Sequence, residues 1–158
     1  MIGCCPGHVS VVVPTYRRGQ ALLDTLNHLR ALDPPPGEIL VVDQTEEHPP
    51  AVVEDLRRRE AAGQIRVLRF FPPSIPRAMN VGLRAARNPV VLFVDDDVVP
   101  APDLVAAHAV RYAAGPAAVC GQVLQPGEGP DPEANRGPRG TGFRADLDFR
   151  FNGTGETE

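Results

Sequence analysis

Three consecutive aspartates, Asp95–Asp97, follow directly on the apolar run Val90–Val94, and the chain turns apolar again at Val98. Adjacent carboxylates repel one another, and Asp is a poor strand former. A divalent cation at such a place offsets the repulsion. Mg²⁺ and Mn²⁺ prefer oxygen ligands and typically combine one or two carboxylates with phosphate oxygens. The chemistry these residues suggest is therefore a metal-bridged diphosphate. The plainer reading is a solvated acidic turn or a charge cluster at a helix N-terminus, where Asp is common. On these residues alone both readings stand.

The elements around the cluster alternate between two periods. "VSVVVP" (9–14), "EILVVD" (38–43) and "VVLFVD" (90–95) are β-branched apolar runs of strand length, as in strands buried on both faces. "IRVLRF" (65–70) alternates, as a half-exposed strand does. Between them lie helical stretches. "QALLDTLNHLRAL" puts Leu22, Leu26 and Leu29 on one face, and "AVVEDLRRRE" puts Val52 or Val53 with Leu56 inward. Ser74 and Pro76 fit an N-cap and a first-turn proline, with a stripe of Met79, Leu83 and Ala86 behind them. "APDLVAAHAVRYA" is a fourth helix and "AAVCGQVL" (117–124) a fifth strand. Strands alternating with helices of this length predict an α/β fold with a mostly parallel sheet and helices on both faces. In such a sheet, ligands bind beyond the carboxyl ends of the strands. Pro14–Thr15–Tyr16, Asp43 and Asp95–Asp97 would all face one crevice there.

Composition bounds the rest. With 158 residues, 42% of them hydrophobic, the chain has enough apolar material for one core. A net charge of -4 and a pI near 5.6 argue against a dedicated nucleic-acid binder. All 16 basic residues are arginines. The three cysteines are odd in number, and Cys4–Cys5 have no metal-ligand spacing to Cys120, so a reduced, cytoplasmic setting is expected. The opening "MIGCCPGHVSVVVP" lacks the marks of a signal peptide, and no apolar run approaches a membrane span. The organisation predicted is a domain over 1–124 followed by a segment, 125–158, rich in Pro, Gly and charge, which reads as a loop or flexible tail.

The pieces "VSVVVPTYRR", "EILVVDQT", "AMNVGLRAA" and "VLFVDDDVVPAPDLV" resemble, in order and spacing, the family 2 glycosyltransferases of GT-A (Rossmann-like) fold. That resemblance implies transfer of a sugar, with inversion, from a nucleotide-diphosphate sugar to an acceptor. Asp95–Asp97 matches the family's DxD-type motif, with Asp97 as the direct metal ligand, aided by Asp95, and Asp95 and Asp96 facing ribose and sugar. The cofactor implied is Mn²⁺ or Mg²⁺. Pro14, Thr15 and Tyr16 match the loop lining the nucleoside, with Arg17 after it. Asp43 matches the first of two acidic residues closing strand two. The second is Gln44 here, and an amide both donates and accepts where a carboxylate only accepts. Arg77 and Asn80 fall near nucleotide-side positions of the third helix. The acceptor is open between a glycan, a lipid and a small molecule, and peripheral membrane association is compatible with it. No nucleic acid is implied. The family's general base lies downstream; Glu156, in the tail, is the candidate, and the sequence reads as stopping before the acceptor half is complete.

A nucleotide-sugar-binding fragment without activity fits the same residues equally well; two other readings weigh less. "VLFVDDDVV" also fits the apolar-DxDxV pattern of haloacid-dehalogenase-type phosphatases. That motif normally ends the first strand and is followed by a lysine, whereas here it ends the fourth and the chain has no lysine. A response-regulator receiver fails for the same lack. His108 reads as a packed histidine beside Leu104, Val105 and Tyr112, and Arg57–Arg59 as a solvated helix face.

Overall fold

The computed structural model describes residues 6–113 and Leu124. The expected fifth strand, apart from Leu124, the tail from 125 with Glu156, and all three cysteines fall outside the described residues. After a short 3₁₀ turn at Pro6–His8 the order is β1 (Val9–Thr15), α1 (Gly19–Arg30), β2 (Glu38–Asp43), α2 (Pro50–Ala61), β3 (Arg66–Arg69), α3 (Ile75–Ala85), β4 (Val90–Phe93) and α4 (Leu104–Ala113). The four described strands form one sheet in the order β3-β2-β1-β4, and every pairing is parallel. The chain therefore winds outward from β1 to β3 and then crosses back to place β4 on the other side of β1. In sheets of this kind such a reversal, beyond the carboxyl ends of β1 and β4, is where ligands bind.

The register explains which residues meet there. Val12 pairs with Phe93 and Thr15 with Asp43. The backbone N–H of Val94 donates to the Val12 carbonyl at 3.0 Å, so the β1–β4 ladder ends one residue before Asp95. The aspartates thus begin where strand pairing stops and their side chains are released from the pleat.

Both faces of the sheet are covered, as the β-branched runs predict. Val9, Val11 and Val13 of β1 pack with Leu22, Leu26 and Leu29 of α1, Val52 and Leu56 of α2, and Val105 and Ala109 of α4. Val12, Leu40 and Val42 look the other way, onto Ala78, Val81 and Ala85 of α3. Here the sequence reading needs correcting. The inward stripe of α3 is Ala78, Val81, Gly82 and Ala85; Leu83 is 52% exposed. The reason is closeness: a Cβ added at Gly82 would lie 2.3 Å from Val12 Cγ1, so the helix sits on β1 by virtue of having no side chain there. Arg59 also departs from expectation. It is buried, with Nε bonded to Asp55 and Nη2 donating to Asn27 Oδ1 at 2.8 Å, which ties α2 to α1. Arg57 and Arg58 are exposed as expected. On α4 the buried positions are Val105 and Ala109; His108 is half-buried, and that burial lowers its pKa.

Candidate functional site

The carboxyl end of β1 is the backbone of the site. Thr15 is buried, and its hydroxyl donates to Asp96 Oδ2 at 2.6 Å, joining β1 to the aspartate turn. Asp96 itself is buried, which pushes its carboxyl above the ordinary value; the Thr15 hydroxyl and Arg18 oppose that rise and neighbouring Asp97 adds to it. Asp95 and Asp97 are exposed. The Asp97 carboxylate is bonded by Arg18 Nη1, which also lies 3.5 Å from Asp96 Oδ1. Thr25 on α1 clips the far side of the turn: its hydroxyl donates to the Val98 carbonyl at 3.1 Å and accepts from the Val98 N–H at 3.2 Å.

Beyond Thr15 the chain turns sharply. Arg17 sits at φ 58°, in the left-handed region, which costs a non-glycine residue roughly 1–2 kcal/mol. Its N–H donates to Thr45 Oγ1 at 2.7 Å, and its guanidinium stacks 5.0 Å from the centroid of the half-exposed Tyr16 ring. Tyr16 and Arg17 together make a flat, cationic wall at the carboxyl end of β1.

At the end of β2 the two candidate residues have different partners. Asp43 is fully buried; Oδ1 accepts the Thr45 N–H at 2.9 Å, and Oδ2 faces His48 Nε2 at 2.9 Å and Arg69 Nη1. Three partners from the protein occupy that buried carboxylate. Gln44 is also buried; its backbone N–H continues the ladder to the Thr15 carbonyl at 3.0 Å, and its Oε1 accepts the N–H of Ser74 at 2.5 Å. Ser74 is the N-cap of α3 but makes no side-chain cap bond, so Gln44 holds the start of that helix. The Gln44 Nε2 has no partner among the described residues. On α3, Arg77 stacks 5.5 Å from the Phe70 ring and Asn80 is exposed; neither bonds the aspartates.

The structure thus brings Thr15, Asp96 and Asp97 together, sets Tyr16 and Arg17 directly after Thr15, joins Gln44 to the Thr15 carbonyl, and packs Asp43 against His48, Arg69 and Thr45. Reading the sequence missed Arg18, Thr45, His48 and Arg69. The only signal for Arg18 was a basic residue soon after one strand end in a chain with an acidic triplet after another. Among the described residues no group of three or more His, Cys, Asp or Glu side chains converges as a metal cage.

The model of glycosyl transferase family 2 matches residues 10–156 of the chain. The chain belongs to glycosyltransferase family 2. No curated protein sequence matches it. Among solved structures, S. aureus TarS 1-349 is 24% identical with a TM-score of 0.57, over 67% of this chain and 32% of that one. TarS 1-349 in complex with UDP-GlcNAc gives 26% identity and a TM-score of 0.54 over 67% and 31% of the two chains. The mannosyltransferase PcManGT from Pyrobaculum calidifontis, in complex with GDP-Man and Mn²⁺, gives 27% and 0.54 over 69% and 33%. The family 2 chain therefore spans about a third of the length of these structures, and its fold is theirs, GT-A.

Proposed function

We propose that this chain provides the donor side of an inverting, metal-dependent glycosyl transfer, binding a nucleotide-diphosphate sugar beyond the carboxyl ends of β1, β2 and β4. One observation carries the reading: an acidic turn at the crossover of the sheet whose central carboxylate, Asp96, is fixed by Thr15, while Asp95 and Asp97 remain exposed beside it. A plain surface turn has no need of a buried aspartate. Similarity to TarS and PcManGT, one solved with UDP-GlcNAc and the other with GDP-Man and Mn²⁺, supports it.

Asp97 with Asp95 would hold Mn²⁺ or Mg²⁺, one or two carboxylates being what such an ion takes when phosphate oxygens complete its shell. When bound, the ion supplies Lewis-acid stabilisation of the diphosphate leaving group. The chain's own residues do the rest of the donor work. Thr15 fixes Asp96 as a hydrogen-bond acceptor for sugar or ribose hydroxyls. The Tyr16–Arg17 wall offers a stacking surface. Gln44, its oxygen taken by Ser74, presents an N–H, which favours a base with a carbonyl on the edge it meets, as in UDP, dTDP or GDP. The acceptor hydroxyl, whether on a glycan, a lipid or a small molecule, must lose its proton to a separate carboxylate; Glu156 is the first residue to mutate.

Calorimetry with UDP, dTDP and GDP, each with Mn²⁺ and with EDTA, tests this reading. Binding that requires the ion is expected, and equal affinity in EDTA would overturn it.

A further inference from the structure

Among the described residues, Arg18 is the one charged residue touching the aspartate turn that donor binding leaves unused. Its backbone is fixed from both sides. It is the N-cap of α1, its carbonyl accepts the Leu22 N–H at 2.9 Å, and Arg17 before it is held by Thr45. Its side chain is free by contrast, 56% exposed, with the guanidinium on Asp97 Oδ2 and 3.5 Å from Asp96 Oδ1. Three carboxylates against one guanidinium leave an excess of two negative charges, which is the charge of one divalent cation.

The geometry points to Arg18 as a resident counter-ion that exchanges partners: paired with Asp97, it yields that carboxylate to a divalent cation and turns to the donor's diphosphate. The inference rests on the donor-binding reading. Two cations cannot share the same side of Asp97 Oδ2, because they repel each other across the oxygen that binds them. An ion pair this exposed is worth at most about 1 kcal/mol, so parting it is easy. Asp96 cannot make the exchange, since it is buried and pinned by Thr15. The released guanidinium is suited to its second partner, because its planar fork matches paired phosphate oxygens. It also swings from the start of a helix whose first turn carries no acidic residue, so nothing on that turn repels a diphosphate.

The exchange predicts effects of opposite sign, which a purely structural arginine does not produce. Mn²⁺ alone is titrated into the wild type, Arg18→Gln, Arg18→Lys and Asp97→Asn, and UDP and GDP are then titrated at saturating Mn²⁺. Arg18→Gln should bind Mn²⁺ up to about five-fold tighter, the whole value of an exposed pair, yet bind the diphosphate about ten-fold more weakly for want of a charge-assisted bond. Arg18→Lys should keep the competition with Mn²⁺ and recover only part of the diphosphate affinity, as it lacks the fork. If Arg18→Gln weakens both ligands, or leaves Mn²⁺ affinity unchanged while Asp97→Asn abolishes it, the exchange is wrong and donor binding at Asp97 stands. If Asp97→Asn leaves Mn²⁺ binding intact, the donor-binding reading falls, and the exchange with it.

Discussion

The two ends of the sheet treat carboxylates in opposite ways. At the amino end, Glu38 accepts the Ser10 hydroxyl at 2.7 Å and the Arg87 N–H at 2.9 Å and is paired with Arg66. Asn88 closes the group by donating to Ser10 Oγ through its N–H and Nδ2 at 3.2 and 3.1 Å. Burial raises the Glu38 carboxyl, but those donors outweigh it and hold it below its usual range. At the carboxyl end, burial of Asp96 prevails over Thr15 and Arg18, and its carboxyl is raised. Glu38, half-buried, and Asp96, buried, each lie next to an arginine; what differs is the number of donors per carboxylate. Glu38 has donors from β1, β3 and the segment after α3 to itself, whereas three aspartates share one hydroxyl and one guanidinium. Charge matched inside the chain holds the fold together, and charge left unmatched awaits a ligand. Asp43 is the exception at the carboxyl end, matched like Glu38, so the division follows partners rather than position alone.

The largest test of that division is Asp43→Ala. Removing the carboxylate leaves the buried His48 Nε2 and the Thr45 N–H without an acceptor, at about 1–3 kcal/mol each in urea unfolding. A cost below about 1 kcal/mol would mean that Asp43 belongs with the unmatched group. Next comes Glu38→Gln, expected to cost about 1–3 kcal/mol at pH 7. The pH dependence has a definite sign. The folded pKa lies below the unfolded one, so the stabilisation is present above the unfolded value, about 4.3, and is lost as pH falls through the folded value. Wild type and variant should therefore draw together as pH falls below that unfolded value. A gap that persists there would assign the effect to shape rather than charge. The smallest expected change is in the stability of Asp95→Asn and Asp97→Asn, within about 0.5 kcal/mol of wild type by thermal melting, because both are exposed. A clear loss in either would show that the triplet braces the fold, breaking the comparison.

What the sequence discloses follows from the physics of each signal. Strands buried on both faces leave continuous β-branched runs, so β2 is placed at 38–43 as found, and β1 and β4 are each displaced by only a residue or two at one end. Leu22, Leu26 and Leu29 mark the inner face of α1 for the same reason. The stripe of α3 misleads because hydrophobicity ranks Met79 and Leu83 above Ala78 and Gly82, while a helix pressed onto a strand selects for smallness. Arg59 looks like surface because nothing in a run of arginines tells which one meets Asn27. In the site, the aspartate turn is legible as a charge cluster that its surroundings do not explain. The partners of Asp43 are not, since His48 and Arg69 come from a loop and an edge strand at spacings with no periodic signature. Arg18 escapes for a similar reason, its partner lying 79 residues away.

The contact between Gly82 and Val12 also bears on how this chain can change by mutation. Val12 is in an inner strand of the described sheet, flanked by β2 and β4, so it has no room to retreat. In a saturation library selected for folding, position 82 should return glycine almost alone, since even alanine drives a methyl into Val12 at a cost of roughly 1–3 kcal/mol. Its neighbour Leu83, facing outward, should return nearly any residue that a helix accepts. Adjacent codons would then carry the narrowest and the widest sequence tolerance of the helix, and the freedom to adapt α3's outer surface would come at no risk to its seat on the strand.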